Sequence, residues 1–585
     1  MKKIADAIAE LRANDRQWEA FTTAGHCVVL APPGSGKTKL LTTRMAFDLA
    51  KRIPEPFGAA CLTLTNAAAD ELRRRVASLG QPRRAANFIG TVHSFALNSI
   101  VIPFGRLCGV VTSESLSIAD RGQEASAFDR AVDLVYPDRA HLPALARSTI
   151  EHARKRFEGP EDWVKHPEGL LNLRDAYLAE LALDGLVDFV GLVEKAVDLV
   201  EGHAVVRQFL SAKFKWLYID EYQDLTPGLH RLVEALCLKD ESTVKLFAVG
   251  DPDQAILGFM GARPELLNDL AENKLVHKVP LEQNYRSGSD ILSRAKVFKE
   301  TTSLVTGDNI GGTVTAHYCP GGITKQCEKI VELTVEVDAA GTPLHEVVVI
   351  APNNSICVSV VDVLRNAGLS AYFRNNEDYR LTQATAFVEA CAAWALRGRE
   401  TSGYRLKNLL RTWSHLLDSK WERRRSVRLV QLLLESSADI SAAELIGGLM
   451  SAGLSLALTR PHLADDAVEV ARMRAAVTSG RLSGLSAAKL AEHAMVIGRV
   501  EVTTMTSSKG LEFDCALILG VDKGRVPFFA AEKDPEQMRE ERRKFYVTLT
   551  RARKRVDICY SGVVEWSSGP RVTAPSPFLG ELGLL

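Results

Sequence analysis

The feature that most constrains this chain is the octet Ala31-Pro32-Pro33-Gly34-Ser35-Gly36-Lys37-Thr38. It follows the compact apolar run Cys27-Val28-Val29-Leu30 and leads into residues 38–50, which read as a helix. A short apolar run of this kind is a strand buried on both faces, as a parallel sheet requires. Strand, glycine loop and helix, in that order, gather backbone amides and a helix N-terminus around an anion. The octet therefore predicts a phosphate-binding loop for ATP. Gly34 and Gly36 let the backbone wrap a phosphate, with Ser35 between them and Lys39 just inside the helix. Lys37 is placed to reach the β- and γ-phosphates, and Thr38 to hold Mg2+. Ala31 stands where such loops usually begin with glycine, and a small residue suffices there.

The second half of the chemistry is Tyr218-Ile219-Asp220-Glu221-Tyr222-Gln223-Asp224. Trp216–Ile219 reads as another buried strand, so its acids lie at the C-terminal end, where parallel sheets hold ligands. Acids at a strand end can also cap a helix. Paired with a phosphate loop, they predict a hydrolytic centre: Asp220 holds Mg2+ through water, and Glu221 orients or deprotonates the attacking water. Val244–Gly250 is the next strand, and Gln254 just beyond it is placed to sense the γ-phosphate.

Further along, Ala60–Thr65 reads as a strand and Ala67–Leu79 as a helix. Residues 120–205 are mostly helical. Val347–Ile350 begins a second α/β unit, and 380–495 are again mainly helical. Ala516–Gly520 returns to a strand, followed by a charged helix at 536–552 and a strand at Arg555–Cys559. Alternating strands and helices predict an α/β fold with two cores, each interrupted by a helical insertion. With 585 residues the chain has room for several domains. It has 72 basic and 72 acidic residues, which argues against indiscriminate coating of duplex DNA but permits a narrow basic track. No apolar run reaches the roughly 18 residues of a membrane span. The ten cysteines contain no C-x-x-C pair, so reduced, structural thiols in a cytoplasmic protein are expected.

Taken together with the blocks that follow, these residues resemble the superfamily 1 helicases of the Rep, UvrD and PcrA type. Asn14-Asp15-Arg16-Gln17 looks like the adenine-reading motif, which makes Gln17 the adenine ligand. Thr63–Leu72 and Gly90–Phe95 match the first DNA-contacting motifs, and Leu186-Val187-Asp188-Phe189 matches a segment before the acidic motif. Gly250–Ala262, GDPDQAILGFMGA, resembles the segment that links ATP to DNA. Leu281–Leu292 follows, with Tyr285 in the place that stacks on adenine and Arg286 in the place that reaches the γ-phosphate. In the C-terminal half, Thr504–Asp514 resembles the motif whose glutamate contacts ribose, here Glu512. Glu540–Ala552 carries Arg551 in the place of the second arginine finger, and Pro575–Leu579 is similar to the family's tail.

The resemblance implies two RecA-like P-loop domains, each with a mainly helical insertion. On this basis 1–99 and 201–280 form the first domain, with its insertion at 100–200. Residues 281–379 and 496–585 form the second, with its insertion at 380–495. It further implies an ATP- and Mg2+-dependent 3′-to-5′ motor on single-stranded and tailed duplex DNA, with Thr65, Asn66, Thr91, His93, Phe95 and Phe259 as DNA contacts. The departures fall on the DNA side. Leu64, Leu257, Met260 and Thr506 replace residues that in close relatives are aromatic, tyrosine, arginine and histidine. A lost stacking partner weakens binding by roughly 1–3 kcal/mol per base. The chain is also short, like helicase subunits of Gabija-type phage-defence systems. An alternative is therefore a DNA-stimulated ATPase that senses DNA ends or nucleotides and regulates a partner nuclease without processive unwinding.

Overall fold

The structure, a computed structural model, describes all residues except 1, 81–83, 112–115, 140, 240–241, 302–305, 308, 310, 374–378, 380–381, 402–403, 418–421, 438–439, 461–462, 481, 495–497 and 567–568. The chain divides into two compact units. The first comprises Met1–Arg286 and Phe298–Asn309, the second Ser287–Val297 and Ile310–Leu585.

The first unit is built on strands β1 (His26–Leu30), β2 (Gly58–Thr63), β3 (Phe88–Thr91), β4 (Phe214–Ile219), β5 (Lys245–Gly250) and β6 (Val276–Pro280). They pair in the order β3-β2-β4-β5-β1-β6, every pair parallel. The continuous apolar runs follow from burial of both faces. Val28, Ala60, Leu62, Leu217 and Ile219 enter one core, while Cys27, Val29, Ala59, Cys61 and Tyr218 enter the other. Between β3 and β4 the helices Arg121–Val135, Ala146–Lys155 and Leu170–Leu183 gather around Phe128, Ala131, Ile150, Leu173 and Tyr177. The helix Phe189–Gly202 returns to the sheet, burying Leu192, Val193, Ala196 and Val200.

The second unit repeats the plan with β7 (Thr313–Tyr318), β8 (Val347–Ala351), β9 (Ala371–Phe373), β10 (Val500–Thr504), β11 (Phe513–Ile518) and β12 (Ala552–Tyr560). Their order is β7-β12-β11-β8-β10-β9, again all parallel. Between β9 and β10 lies a helical set from Gln383 to Ala494 with its own core, in which Phe387 and Trp413 stack at 5.4 Å. The fold is thus mixed α/β, with two parallel sheets and many helices. No helix among the described residues is long and apolar enough to cross a membrane.

Strands β3, β6, β7, β9 and β10 were not anticipated. Four of them are sheet edges, short or carrying polar residues: β6 has exposed His277 and Lys278 in its middle. β10 is interior, but Glu501 interrupts its apolar pattern. Its carboxylate accepts from the Tyr372 hydroxyl at 2.6 Å on β9. Residues 281–286, expected with the second domain, belong to the first unit because they bond the phosphate loop, as described next.

Candidate nucleotide and nucleic-acid sites

At the end of β1 the Ala31 N–H donates to the Gly250 carbonyl at 2.8 Å, tying the loop to β5. The backbone then passes through Gly34 at φ 70° and Gly36 at φ 84°. A Cβ on Gly34 would stand 2.6 Å from the Arg286 Cβ, so both conformation and space demand glycine. Ser35 is buried, its hydroxyl donating to the Pro32 carbonyl at 2.7 Å, and the helix Lys37–Lys51 starts beyond it. Gln17 is buried against this loop, with Nε2 donating to the Ser35 carbonyl at 2.8 Å. Asn14 caps the helix Asp15–Thr22, and its Nδ2 donates to Gln283 Oε1 at 2.7 Å and to the Tyr285 hydroxyl at 2.9 Å. The Tyr285 N–H donates to the Gly34 carbonyl at 2.9 Å, and Asn284 Nδ2 to the Pro33 carbonyl at 2.5 Å. Asn284 Oδ1 accepts from the Arg286 N–H at 2.8 Å. These bonds bring Gln17, Tyr285 and Arg286 to the phosphate loop. Lys39 points elsewhere: its amine pairs with Glu10 on the surface.

The acids stand at the end of β4, next to β5 and β2. Asp220 is buried, and its N–H donates to the Leu62 carbonyl at 3.0 Å. Burial, then the adjacent Glu221 carboxylate, pushes the Asp220 carboxyl above its ordinary range, against the pull of Lys37. Glu221 has φ 56°, a left-handed backbone that a residue with a Cβ seldom adopts. Lys37 Nζ is buried, has no hydrogen-bond partner among the described residues, and lies 3.5 Å from Glu221 Oε2. Gln223, fully buried, joins this motif to the next. Its Nε2 donates to Glu221 Oε2 at 2.5 Å, and its Oε1 accepts from the Asp251 N–H at 3.0 Å. Gln254 Nε2 donates to Asp251 Oδ2 at 2.7 Å, and burial with Asp253 nearby pushes the Asp251 carboxyl up. Asp220 and Glu221 both interact with the Lys37 ammonium, and carboxylate oxygens beside a glycine loop suit a divalent cation that also takes phosphate oxygens and water. Thr38, in the first turn of its helix, and Asp220 are the residues that would hold it.

On the same sheet edge, β2 and β3 end in register, Thr63 opposite Thr91. Thr65 caps the helix Asn66–Ser78 by accepting from the Ala68 N–H at 3.2 Å, and Asn66 is exposed beside it. Thr91 accepts from the Ser94 N–H at 3.1 Å. His93 meets Phe189 edge-on at 5.5 Å, and burial, then Lys155, lowers its pKa, favouring neutral imidazole. Phe259 sits on the short turn Gly258–Met260 with 62% of its surface exposed. Phe95 does not belong with these residues. It is fully buried between Phe88 at 5.3 Å and Phe214 at 5.7 Å, so no ring face is left for a base. Leu64 packs partly buried against the same core. Phe189, overlooked among the candidate contacts, keeps 44% of its surface exposed on this edge.

In the second unit, Glu512 is exposed and accepts from Arg553 Nη2 at 3.1 Å. Arg551 is buried at the end of the helix Pro535–Leu549. Its guanidinium donates to the carbonyls of Val547 at 2.8 Å and Leu511 at 3.0 Å.

The family model described as the UvrD/REP helicase N-terminal domain matches residues 13–274, and the UvrD-like helicase C-terminal domain matches residues 479–562. The chain belongs to the UvrD/REP helicase family. It is 24% identical over 637 residues to the ATP-dependent DNA helicase PcrA of Staphylococcus aureus, covering 97% of this chain and 86% of that protein. The PcrA of Staphylococcus epidermidis is also 24% identical, over 634 residues and the same shares. This UvrD/REP helicase is therefore an enzyme, and the edge just described carries its candidate nucleotide residues. Gln223, Asn14 and Asn284 bond these candidate residues, although the sequence singles out none of them for a role. Their only sequence signal was a position inside the motifs, because each acts by holding a neighbour.

Proposed function

We propose that this helicase hydrolyses ATP with Mg2+ to move 3′ to 5′ along single-stranded DNA and separate the duplex ahead of it. The observation that carries the reading is the buried ammonium of Lys37, directly after the glycine loop, 3.5 Å from Glu221 and without a hydrogen-bond partner among the described residues. Burying an ammonium whose N–H groups find no hydrogen bond is costly, and phosphate oxygens are the chemistry that satisfies it. Gln17 and Tyr285 frame the base, and Lys37 neutralises charge on the β- and γ-phosphates. Arg286 and Arg551 supply positive charge to the transferring phosphoryl group, and Glu512 contacts ribose. Mg2+ bound at Thr38 and Asp220 would offset charge on the same phosphates. Glu221, held by Gln223, orients the attacking water and takes its proton. Gln254 senses the γ-phosphate and relays its presence toward Phe259. Thr65, Asn66, Thr91 and His93 hold the strand, and Phe259 stacks on a base.

A second reading is favoured by one observation: Phe95 and Leu64 are built into the core, which leaves few aromatic faces for bases. In it, the ATP cycle reports DNA ends or nucleotides to a partner nuclease in phage defence, without processive unwinding. Strand separation on 3′-tailed and 5′-tailed duplexes, measured beside ATP turnover, decides between them. Unwinding of the 3′-tailed substrate alone supports the motor. DNA-stimulated hydrolysis without separation supports the sensor. Turnover that no single-stranded or tailed DNA raises sinks the motor and the DNA-end sensor alike.

A further inference from the structure

One cluster of the first unit is used by none of these steps. The helix Ala146–Lys155 runs into a tight turn, closed by Phe157 N–H to the Arg154 carbonyl at 2.9 Å and Glu158 N–H to the Ala153 carbonyl at 3.1 Å. Three side chains of this turn bear on three different neighbours.

Arg154 is 3% exposed. Its Nη1 donates to Asp188 Oδ2 at 2.5 Å, and its Nη2 to Asp188 Oδ1 at 3.0 Å and Glu194 Oε2 at 2.6 Å. Asp188 also accepts from the Gly191 N–H at 2.7 Å and the Tyr177 hydroxyl at 3.2 Å. A two-pronged pair of this kind fixes angle as well as distance. It ties the turn to the start of the helix that carries Phe189. Lys155 lies against Gly261, where a Cβ would come 2.8 Å from the Lys155 Cβ. Gly261, at φ 89°, closes the turn that exposes Phe259. Phe157 has φ 53°, a left-handed backbone on a bulky residue. Its ring fills the space over Gly228, where a Cβ would stand 2.0 Å from the Phe157 Cε2. Gly228 lies in the first turn of the helix Pro227–Cys237, directly after the acidic motif.

A strained residue persists only where its surroundings over-determine it. Here they are the base-stacking turn on one side and the helix after Asp220–Asp224 on the other. We propose that the turn Arg154–Phe157 is the mechanical link between Phe259 and the acidic motif, with Arg154 and Phe157 as positioning residues for DNA-stimulated hydrolysis. The proposal rests on the function given above. A displacement of the Phe259 turn presses on Lys155. The Arg154–Asp188 pair blocks the turn from yielding sideways, so the push passes through Phe157 to Gly228.

The test is ATP turnover of the full chain with and without single-stranded oligo(dT), for Gly228→Ala, Phe157→Leu, their double variant, Arg154→Lys and Arg154→Gln. Melting temperatures and nucleotide affinity are measured alongside. Gly228→Ala suits its helix, so it is expected to keep basal turnover and nucleotide affinity while maximal stimulation by DNA falls about tenfold, the scale of ordinary coupling between sites. The half-saturating DNA concentration stays unchanged. Phe157→Leu makes room for the new methyl, so the double variant recovers stimulation relative to Gly228→Ala at unchanged basal turnover, and recovery of the melting temperature without recovery of stimulation overturns the proposal. Arg154→Lys, which keeps the charge but not the fork, retains more stimulation than Arg154→Gln. Wild-type stimulation in all variants overturns the proposal. So does an equal fall of basal and stimulated turnover, or a loss confined to DNA affinity. A wild-type protein that DNA does not stimulate overturns the proposed function itself, and this link with it.

Discussion

Lys37 holds a buried positive charge that no hydrogen bond among the described residues satisfies, and this marks the proposed nucleotide site at the residue scale. Lys37→Ala is expected to lower ATP turnover to near background, as measured by phosphate release. Glu221→Gln is expected to do the same for a different reason. It removes the base, and with it the nearest charge repulsion on Asp220, so nucleotide binding survives. A Glu221→Gln protein that fails to bind a fluorescent ATP analogue would show that Glu221 acts in binding instead. Arg551 donates Nε and Nη1 to the carbonyls of Val547 and Leu511, and as the proposed finger it acts on the transferring phosphoryl group rather than in binding. Arg551→Ala should therefore reduce turnover more than nucleotide affinity, and near-normal turnover removes it from the set.

At the scale of elements, exposure separates residues that motif position alone makes equivalent. Phe259→Ala is expected to weaken single-strand binding by roughly 1–3 kcal/mol with little change in melting temperature. Phe95→Ala should instead cost about 3–5 kcal/mol of stability, because it opens a cavity in the core. Fluorescence anisotropy with a labelled oligonucleotide and denaturant unfolding distinguish the two. In the second unit, the helix Gln383–Thr401 buries Glu389, whose carboxylate accepts from the Tyr379 hydroxyl at 2.7 Å. Burial pushes its pKa up to about 7, against the pull of Tyr379 and Arg499. The folded state thus disfavours the ionised form that the unfolded chain prefers. The resulting loss of stability begins as pH rises past the ordinary glutamate value and is complete above about 7. Glu389→Gln should leave melting near pH 4 almost unchanged and raise it at pH 8.

At the scale of the molecule, two units with separate sheets and cores make a single all-or-none transition unexpected. Calorimetry should give a van't Hoff enthalpy below the calorimetric one. A non-hydrolysable ATP analogue at a hundredfold its Kd should stabilise the wild-type protein by about 2.7 kcal/mol, and Lys37→Ala should lose that shift. The 72 basic and 72 acidic residues leave no net field to attract DNA, so binding relies on local contacts.

The sequence by itself determined what depends on local chemistry: the phosphate loop, the acids at a strand end, the runs of β1, β2, β4 and β5, and the order of the motifs. Glycines, apolar runs and strand-end acids impose their conformations on the nearest few residues, so a linear reading finds them. Only the tertiary structure decided which side of an element each residue faces. It turned Phe95 into the core and Phe259 out of it. It folded residues 283–286 onto the phosphate loop through Asn284 and Tyr285. It also set Phe157 against Gly228, residues far apart along the chain. Burial and side-chain partnership are settled by segments distant in sequence, which no local pattern records.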